Sequence, residues 1–152
     1  MKKIVLGIIM ICSIFMLGGC FKKTVITTSE FKTIAENKGY TIHDVMSQYS
    51  AYEYIKEATV ARKDDKYQVE FYVLETEDDA KNMYETNKTT FEARTSGKSS
   101  KTNVNMLNYS SFTLNTNGEY YHLCRVENTF LYLHVDEQYK DQVKEIIDEL
   151  GY

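Results

Sequence analysis

The second half of the chain contains three segments of alternating polar and apolar residues, separated by two short turns. The first segment covers 104–116, and Asn117-Gly118 follows it as a dipeptide typical of two-residue hairpin turns. The second covers 119–126, and Glu127-Asn128 separates it from the third, 129–135. Because alternation places successive side chains on opposite faces of a strand, these segments predict an antiparallel meander.

The turn at Glu127-Asn128 predicts which side chains share a face of that meander, because the register of a hairpin follows from its loop. The expected pairs on one face are Val126 and Thr129, Cys124 and Leu131, His122 and Leu133, and Tyr120 and Val135. The opposite face is expected to carry Tyr121, Leu123 and Arg125 beside Phe130, Tyr132 and His134.

Helices and further strands are predicted around the meander. Capping-box spacing at Thr27 and Glu30 indicates the start of a first helix, which Gly39 ends. The remaining predictions are a short strand and an irregular stretch within 40–49, a hairpin of strands 54–62 and 67–74, a helix that Thr76 caps, a loop over 94–101 and a helix that Asp136 caps. This order predicts an α+β fold, with an antiparallel sheet of about five or six strands and helices packed on one face.

The N-terminus has the pattern of a signal peptide. Met1-Lys2-Lys3 is positively charged, and 4–17 is almost wholly apolar. Fourteen helical residues reach about 21 Å, which is short of the roughly 30 Å hydrocarbon core of a bilayer. The segment therefore predicts a cleaved signal core rather than a permanent transmembrane helix.

Leu17-Gly18-Gly19-Cys20 ends this segment and resembles the lipobox of bacterial lipoproteins. The resemblance implies cleavage between Gly19 and Cys20 and attachment of diacylglycerol to the Cys20 thiol. The expected organisation is then a signal peptide over 1–19, a lipidated tether over 20–28 and a single α+β domain over 29–152, anchored at the extracytoplasmic face of the cell membrane. The layout is also similar to that of small, functionally uncharacterised lipoproteins of low-GC Gram-positive bacteria, a likeness of pattern that supplies no functional residue.

Charge and cysteine content limit the partners of the mature chain. Without Lys2 and Lys3, 16 basic residues face 22 acidic ones, a net charge of about −6. A protein that binds nucleic acid needs a basic surface, so no nucleic-acid partner is expected. An acidic domain is repelled by anionic lipids, so the Cys20 lipid is expected to hold it at the membrane. Cys124 has no partner for an intrachain disulfide.

An aromatic sheet face is the candidate binding site. Tyr72, Tyr121, Phe130 and Tyr132 are expected on one face, with Arg125 placed to stack on a ring. An aromatic, partly solvated face suits contact with a protein or a glycan. The alternative is that the first helix or the N-terminal segment covers this face and makes it a second core.

Catalytic and metal-binding patterns are weak. The sequence has no GxSxG, HExxH or phosphate-binding glycine loop, so no catalytic residue, metal or cofactor is predicted. The expected function is a non-catalytic binding or accessory module for a membrane-proximal protein or an envelope component. The alternative is an envelope metal-binding protein or small enzyme that uses His122, His134 and acidic neighbours; His122 and Cys124 lie two residues apart on one strand face, as a pair of ligands would.

Overall fold

A computed structural model describes residues 22–152, so the predicted signal peptide, its cleavage site at Gly19 and the lipidation site Cys20 lie outside the described residues. The helices and strands follow one another in this order: α1 (Thr28–Asn37), β1 (Thr41–Asp44), β2 (Ile55–Lys63), β3 (Tyr67–Leu74), α2 (Glu77–Glu92), β4 (Ser99–Asn105), β5 (Tyr109–Thr116), β6 (Glu119–Val126), β7 (Thr129–Asp136) and α3 (Lys140–Leu150). Short 3₁₀ helices cover Met46–Tyr49 and Glu137–Tyr139. The fold is α+β.

The seven strands form one antiparallel sheet in the order β1-β2-β3-β7-β6-β5-β4. The prediction of five or six strands was too small, because 104–116 is not one strand. The chain turns at Met106, whose backbone N–H donates to the Tyr109 carbonyl at 2.8 Å, so β4 and β5 form a hairpin. The predicted register of β6 on β7 is confirmed, from Val126 opposite Thr129 to Tyr120 opposite Val135.

Helices cover both faces of the sheet, and the prediction that they pack on one face was wrong. The first face carries α1 and α3 over a core that includes Phe31, Phe71, Leu131 and Ile146. The second face carries α2, whose Ala80, Tyr84 and Phe91 pack on the residues Phe112, Leu114, Tyr121, Leu123 and Phe130. The central strands carry large apolar side chains on both faces, so both faces need cover from water.

Local chemistry accounts for the helix starts. The Thr27 hydroxyl accepts from the Glu30 backbone N–H, and the Glu30 carboxylate accepts from the Thr27 N–H, so the predicted capping box is confirmed. Thr76 and Asp79 form the same arrangement at the start of α2. After α1, Gly39 adopts a φ of 76°, the left-handed conformation that glycine takes with little strain.

One end of the sheet receives the N-terminal segment. We call it the proximal end: β2 and β5 begin there, and β3 and β6 end there. Lys23 lies beside the β4–β5 hairpin at this end, since its backbone N–H donates to the Asn108 side-chain oxygen at 3.2 Å and its carbonyl accepts from the Asn108 amide at 2.8 Å. The chain therefore enters the domain next to that hairpin.

Candidate functional site

The aromatic face predicted as a binding surface lies on the second face of the sheet, beneath α2. The register places Tyr72, Tyr121, Arg125, Phe130 and Tyr132 together, as predicted. All except Tyr132 are buried, so the face is not an open surface. The Phe91 ring lies 4.5 Å from the Tyr121 ring and 5.3 Å from the Tyr132 ring, measured between centroids. Among residues 22–152, the cover comes from α2 and not from the first helix or residues 22–27.

Arg125 does not stack on a ring of this face. Its guanidinium is buried and forms an ion pair with Glu77 at 3.0 Å, at the start of α2. It also donates to the Glu127 carbonyl at 3.3 Å and to the Ser110 hydroxyl at 3.3 Å. These contacts fix the start of α2 against β5 and β6, so the role of Arg125 in this structure is to join the helix to the sheet.

A groove remains beside α2, over β3 and β7, where the helix does not reach. One wall is α2 and the other is the stretch between β1 and β2. The groove consists of three neighbouring sections of about 470, 260 and 550 Å³, which share lining residues. Three of the five predicted face residues, Tyr72, Phe130 and Tyr132, line its middle section.

The first section opens at the proximal end of the sheet and is rich in tyrosine. Its lining residues are Tyr49, Tyr52, Tyr54, Ile55, Asp79, Asn82, Met83, Thr86 and Asn87. Tyr52 and Tyr54 are 49% and 39% exposed, and their rings meet edge to face at 5.9 Å between centroids. Exposed tyrosines beside amide and hydroxyl side chains present both apolar surface and hydrogen-bonding groups to a ligand.

The middle section has a hydrogen-bonded floor. The Tyr49 and Tyr72 hydroxyls lie 2.8 Å apart, and the Tyr72 hydroxyl donates to the Glu70 carboxylate. Glu70 also accepts from the Gln68 amide at 2.8 Å. Burial first, and then the negative charge of Glu70, raises the pKa of Tyr72 far above its usual value. Tyr72 is therefore a neutral phenol that positions Glu70 and Tyr49, and it is not a nucleophile.

The third section is polar and lies toward the opposite end of the sheet. It is lined by Arg62, Asp65, Lys66, Tyr67, Gln68, Glu70, Tyr132 and His134. His134 stacks on the Tyr121 ring at 4.3 Å, and its Nε2 lies 2.6 Å from a Glu119 carboxylate oxygen. The groove thus changes along its length from an aromatic mouth to a charged end.

The two histidines of the metal or enzyme alternative lie on opposite faces of the sheet. His122 is opposite Leu133 on the first face, whereas His134 is opposite Tyr121 on the second. Because a sheet separates them, the two side chains cannot bind one ion or act on one substrate together. Within residues 22–152, no group of three His, Cys, Asp or Glu side chains is arranged to hold a metal ion.

Cys124 lies beside His122 on the first face and is fully buried in its core. Burial raises the pKa of the Cys124 thiol to about 12, and the charges of Lys23 and Arg125 only partly offset this. Burial also lowers the pKa of His122 to about 4, with smaller contributions from Lys23 and Lys144. Both groups are therefore uncharged near neutral pH.

Sequence reasoning missed the wall formed by Tyr49, Tyr52 and Tyr54. The prediction for 40–49 was a short strand and an irregular stretch, and no periodicity pointed to a site. A signal was nonetheless present, since three tyrosines lie within the six residues 49–54, and Tyr52 and Tyr54 lie outside the helices and strands. Tyrosines outside helices and strands are often solvent-accessible and available for contact.

Comparisons with known proteins give one distant likeness. No protein-family model matches the chain, and no curated protein matches it. The chain is similar to a crystal structure of a GTP binding regulator from Thermotoga maritima, at 16% sequence identity and a TM-score of 0.48. The match covers 80% of this chain and 84% of that chain. Neither a residue role nor a function is carried over from that protein.

None of the helices formed by residues 22–152 has the length and hydropathy that crossing a bilayer requires.

Proposed function

We propose that this protein is a lipid-anchored, extracytoplasmic binding module whose ligand occupies the groove beside α2. The ligand belongs to a membrane-proximal protein or an envelope polymer, and the module binds it without catalysis. The observation that carries the proposal is the groove itself, with its exposed tyrosines at one end and the Tyr49–Tyr72–Glu70 hydrogen bonds on its floor.

The groove suits binding for two physical reasons. Its aromatic rings offer rigid apolar surface with little conformational entropy to lose, which favours contact with a chain of residues or sugars. Its polar groups at the middle are already hydrogen-bonded to one another, so they are positioned before a ligand arrives. The elongated form, over three sections, favours an extended ligand over a compact one.

The anchor rests on the lipobox resemblance at Leu17-Gly18-Gly19-Cys20. Diacylglycerol on Cys20, with cleavage after Gly19, leaves the mature chain attached to the outer surface of the cell membrane. Two acyl chains satisfy the usual requirement of two hydrophobic signals for stable anchoring. Labelled palmitate is expected to enter the wild-type chain and not Cys20→Ala. Equal labelling of both would contradict the anchor and leave the groove proposal standing.

The groove is tested by capture of partners from envelope extract. The double variant Tyr52→Ala with Tyr54→Ala is expected to lose partners that the wild type retains, because it removes the aromatic mouth of the groove. Both side chains are exposed, so their removal leaves no cavity in the core.

The control is Glu36→Ala with Asn37→Ala, which removes two exposed side chains of α1, outside the groove and on the other face of the sheet. This control is expected to keep the same partners. Loss of the same partners in both double variants, or retention in both, would remove the basis for placing the ligand in the groove. Digestion of the extract with protease or with glycosidase before capture separates a protein ligand from a glycan.

A further inference from the structure

The exposed large hydrophobic side chains of residues 22–152 gather at the proximal end of the sheet. They are Tyr52, Tyr54, Val104, Met106 and Leu107. Tyr52 and Tyr54 directly precede β2, which begins at this end. The other three belong to the β4–β5 hairpin at the other corner of the same end. A concentration of exposed apolar groups at one end indicates a contact surface.

The β4–β5 hairpin carries the most exposed of these side chains. Leu107 is 74% exposed and Met106 is 45% exposed, at the tip of the turn. Met106 and Leu107, which we call the hairpin tip, are the exposed side chains of the turn between β4 and β5. Leucine and methionine at the end of a two-stranded hairpin form a small apolar projection rather than a broad patch.

The N-terminal segment enters the domain beside this projection. Lys23 exchanges two hydrogen bonds with Asn108, the residue that follows the hairpin tip. Its ammonium group lies 4.5 Å from the centre of the Tyr109 ring and donates to the Gly151 carbonyl at 2.6 Å. These contacts fix where the chain leaves the domain on its way to Cys20.

Chain length then limits how far the hairpin tip lies from the proposed anchor. Two residues lie between Lys23 and Cys20, so the three extended steps that join them span at most about 11 Å. The interfacial layer of each leaflet is about 5–8 Å thick. A lipid on Cys20 therefore brings the hairpin tip to the membrane surface.

We infer that the hairpin tip inserts into the lipid interface of the membrane that holds the anchor. The inference rests on the proposed lipidation of Cys20. Lys23 lies beside the tip and its positive charge attracts anionic headgroups, whereas Glu127, which also contacts Asn108, and the acidic first turn of α2 are repelled. The contact is thus confined to the corner formed by the hairpin, which fixes one orientation of the domain on the bilayer.

A protein partner fits this corner less well than lipid does. A stable protein interface buries well over about 1,000 Å², and two side chains at a turn supply a small part of that area. The adjoining edge strand β4 is polar along most of its length, with Lys101 at its centre, and a charged side chain in an edge strand discourages pairing with another strand. A few apolar side chains with basic neighbours are sufficient to enter a lipid interface when an acyl anchor supplies the affinity.

The test places a fluorescent probe at each end of β4. Leu107→Cys and Ser99→Cys are each labelled with an environment-sensitive dye in the full-length, lipidated protein and reconstituted in phosphatidylcholine–phosphatidylglycerol vesicles. Ser99 is exposed and lies at the far end of β4, so it is the matched control. Cys124 is buried, and the unsubstituted protein measures its background labelling.

The expected result is quenching of the Leu107→Cys probe by lipids with a nitroxide on the headgroup, and no quenching of the Ser99→Cys probe. Flotation of the same samples with vesicles reports the anchor separately. Flotation without quenching at Leu107→Cys would overturn the inference while the anchor stands, and so would equal quenching of both probes. Failure of the protein to float would contradict the proposed anchor, and the inference with it.

Discussion

Replacement of His122 by leucine should stabilise the domain and reduce the loss of stability on acidification. The imidazole is 5% exposed, and neither ring nitrogen has a hydrogen-bond partner among residues 22–152. A buried polar group without a partner costs about 1–3 kcal/mol in proteins. His122→Leu removes that cost and places an apolar side chain of similar size opposite Leu133. An increase of about 1–3 kcal/mol in the free energy of unfolding near neutral pH is expected.

The pH dependence follows from the lowered pKa of His122. In the unfolded chain its pKa is near 6.5, and in the folded protein burial lowers it to about 4. Between these values the unfolded state binds more protons than the folded state, so stability falls as the pH falls. The loss begins below about pH 6.5 and is complete near pH 4. At 1.36 kcal/mol per pKa unit, the total loss in the free energy of unfolding is about 3 kcal/mol. About 2 kcal/mol of this loss occurs between about pH 7.5 and pH 5.

The assay is urea unfolding of purified protein at about pH 7.5 and pH 5, followed by circular dichroism, with wild type, His122→Leu and the exposed-histidine control His43→Gln. Carboxylates contribute equally to the pH dependence of stability in all three proteins, so the difference between wild type and each variant measures the contribution of the replaced histidine. Wild type and His43→Gln should lose about 2 kcal/mol more than His122→Leu between the two pH values. The same loss in all three proteins would refute the assignment of His122 as a buried neutral group.

Two further predictions test the core and the groove mouth. Phe130→Ala should lower the free energy of unfolding by about 3–5 kcal/mol because Phe130 is 0% exposed, whereas Tyr52→Ala should change it by less than about 0.5 kcal/mol. Urea unfolding measures both values, and similar changes in the two variants would contradict the burial of Phe130 under α2. The Cys124 thiol, with its pKa raised to about 12, should resist a disulfide reagent at about pH 8 until urea unfolds the chain; fast reaction of the folded protein would show that the first core is open.

The register of the meander was predictable because local chemistry determines it. Two short turns and alternating side chains left one pairing of β6 with β7, and the structure has that pairing. The starts of α1 and α2 were predictable for the same reason, since Thr27 and Thr76 bond to groups three residues away. Asp136, predicted to cap the last helix, instead caps the 3₁₀ helix Glu137–Tyr139, and α3 begins after it at Lys140. Such features depend on contacts between near neighbours in the sequence and need no knowledge of the tertiary fold.

Strand β4 escaped prediction because it lies at an edge and is exposed on both faces. Ser99–Asn105 therefore shows no alternation, and its serine, lysine and asparagine residues resemble a loop. The position of α2 escaped prediction for a different reason. Tyrosine and arginine on the second face of β6 suggested solvent contact, whereas Arg125 is buried through its ion pair with Glu77. Only the tertiary fold supplies that partner.

The groove follows from a sheet that is wider than the helix that packs on it. Ala80, Tyr84 and Phe91 lie along one line of the helix and are buried on the sheet. Met83 and Asn87 lie on the adjoining line, one turn apart, and remain partly exposed along the groove. One line of α2 therefore packs on the sheet, and the adjoining line forms a wall of the groove.

The position of the groove limits the ligand that the proposed anchor allows. Its aromatic mouth opens at the proximal end, the same end at which Lys23 enters the domain. An anchor within about 11 Å of Lys23 keeps this end close to the bilayer, so the mouth opens near the membrane surface. A soluble ligand arriving from the outer side meets the charged third section first. The anchored protein should therefore capture partners that a chain lacking residues 1–20, free to rotate in solution, captures less efficiently, since tethering raises the effective concentration of a membrane-proximal ligand.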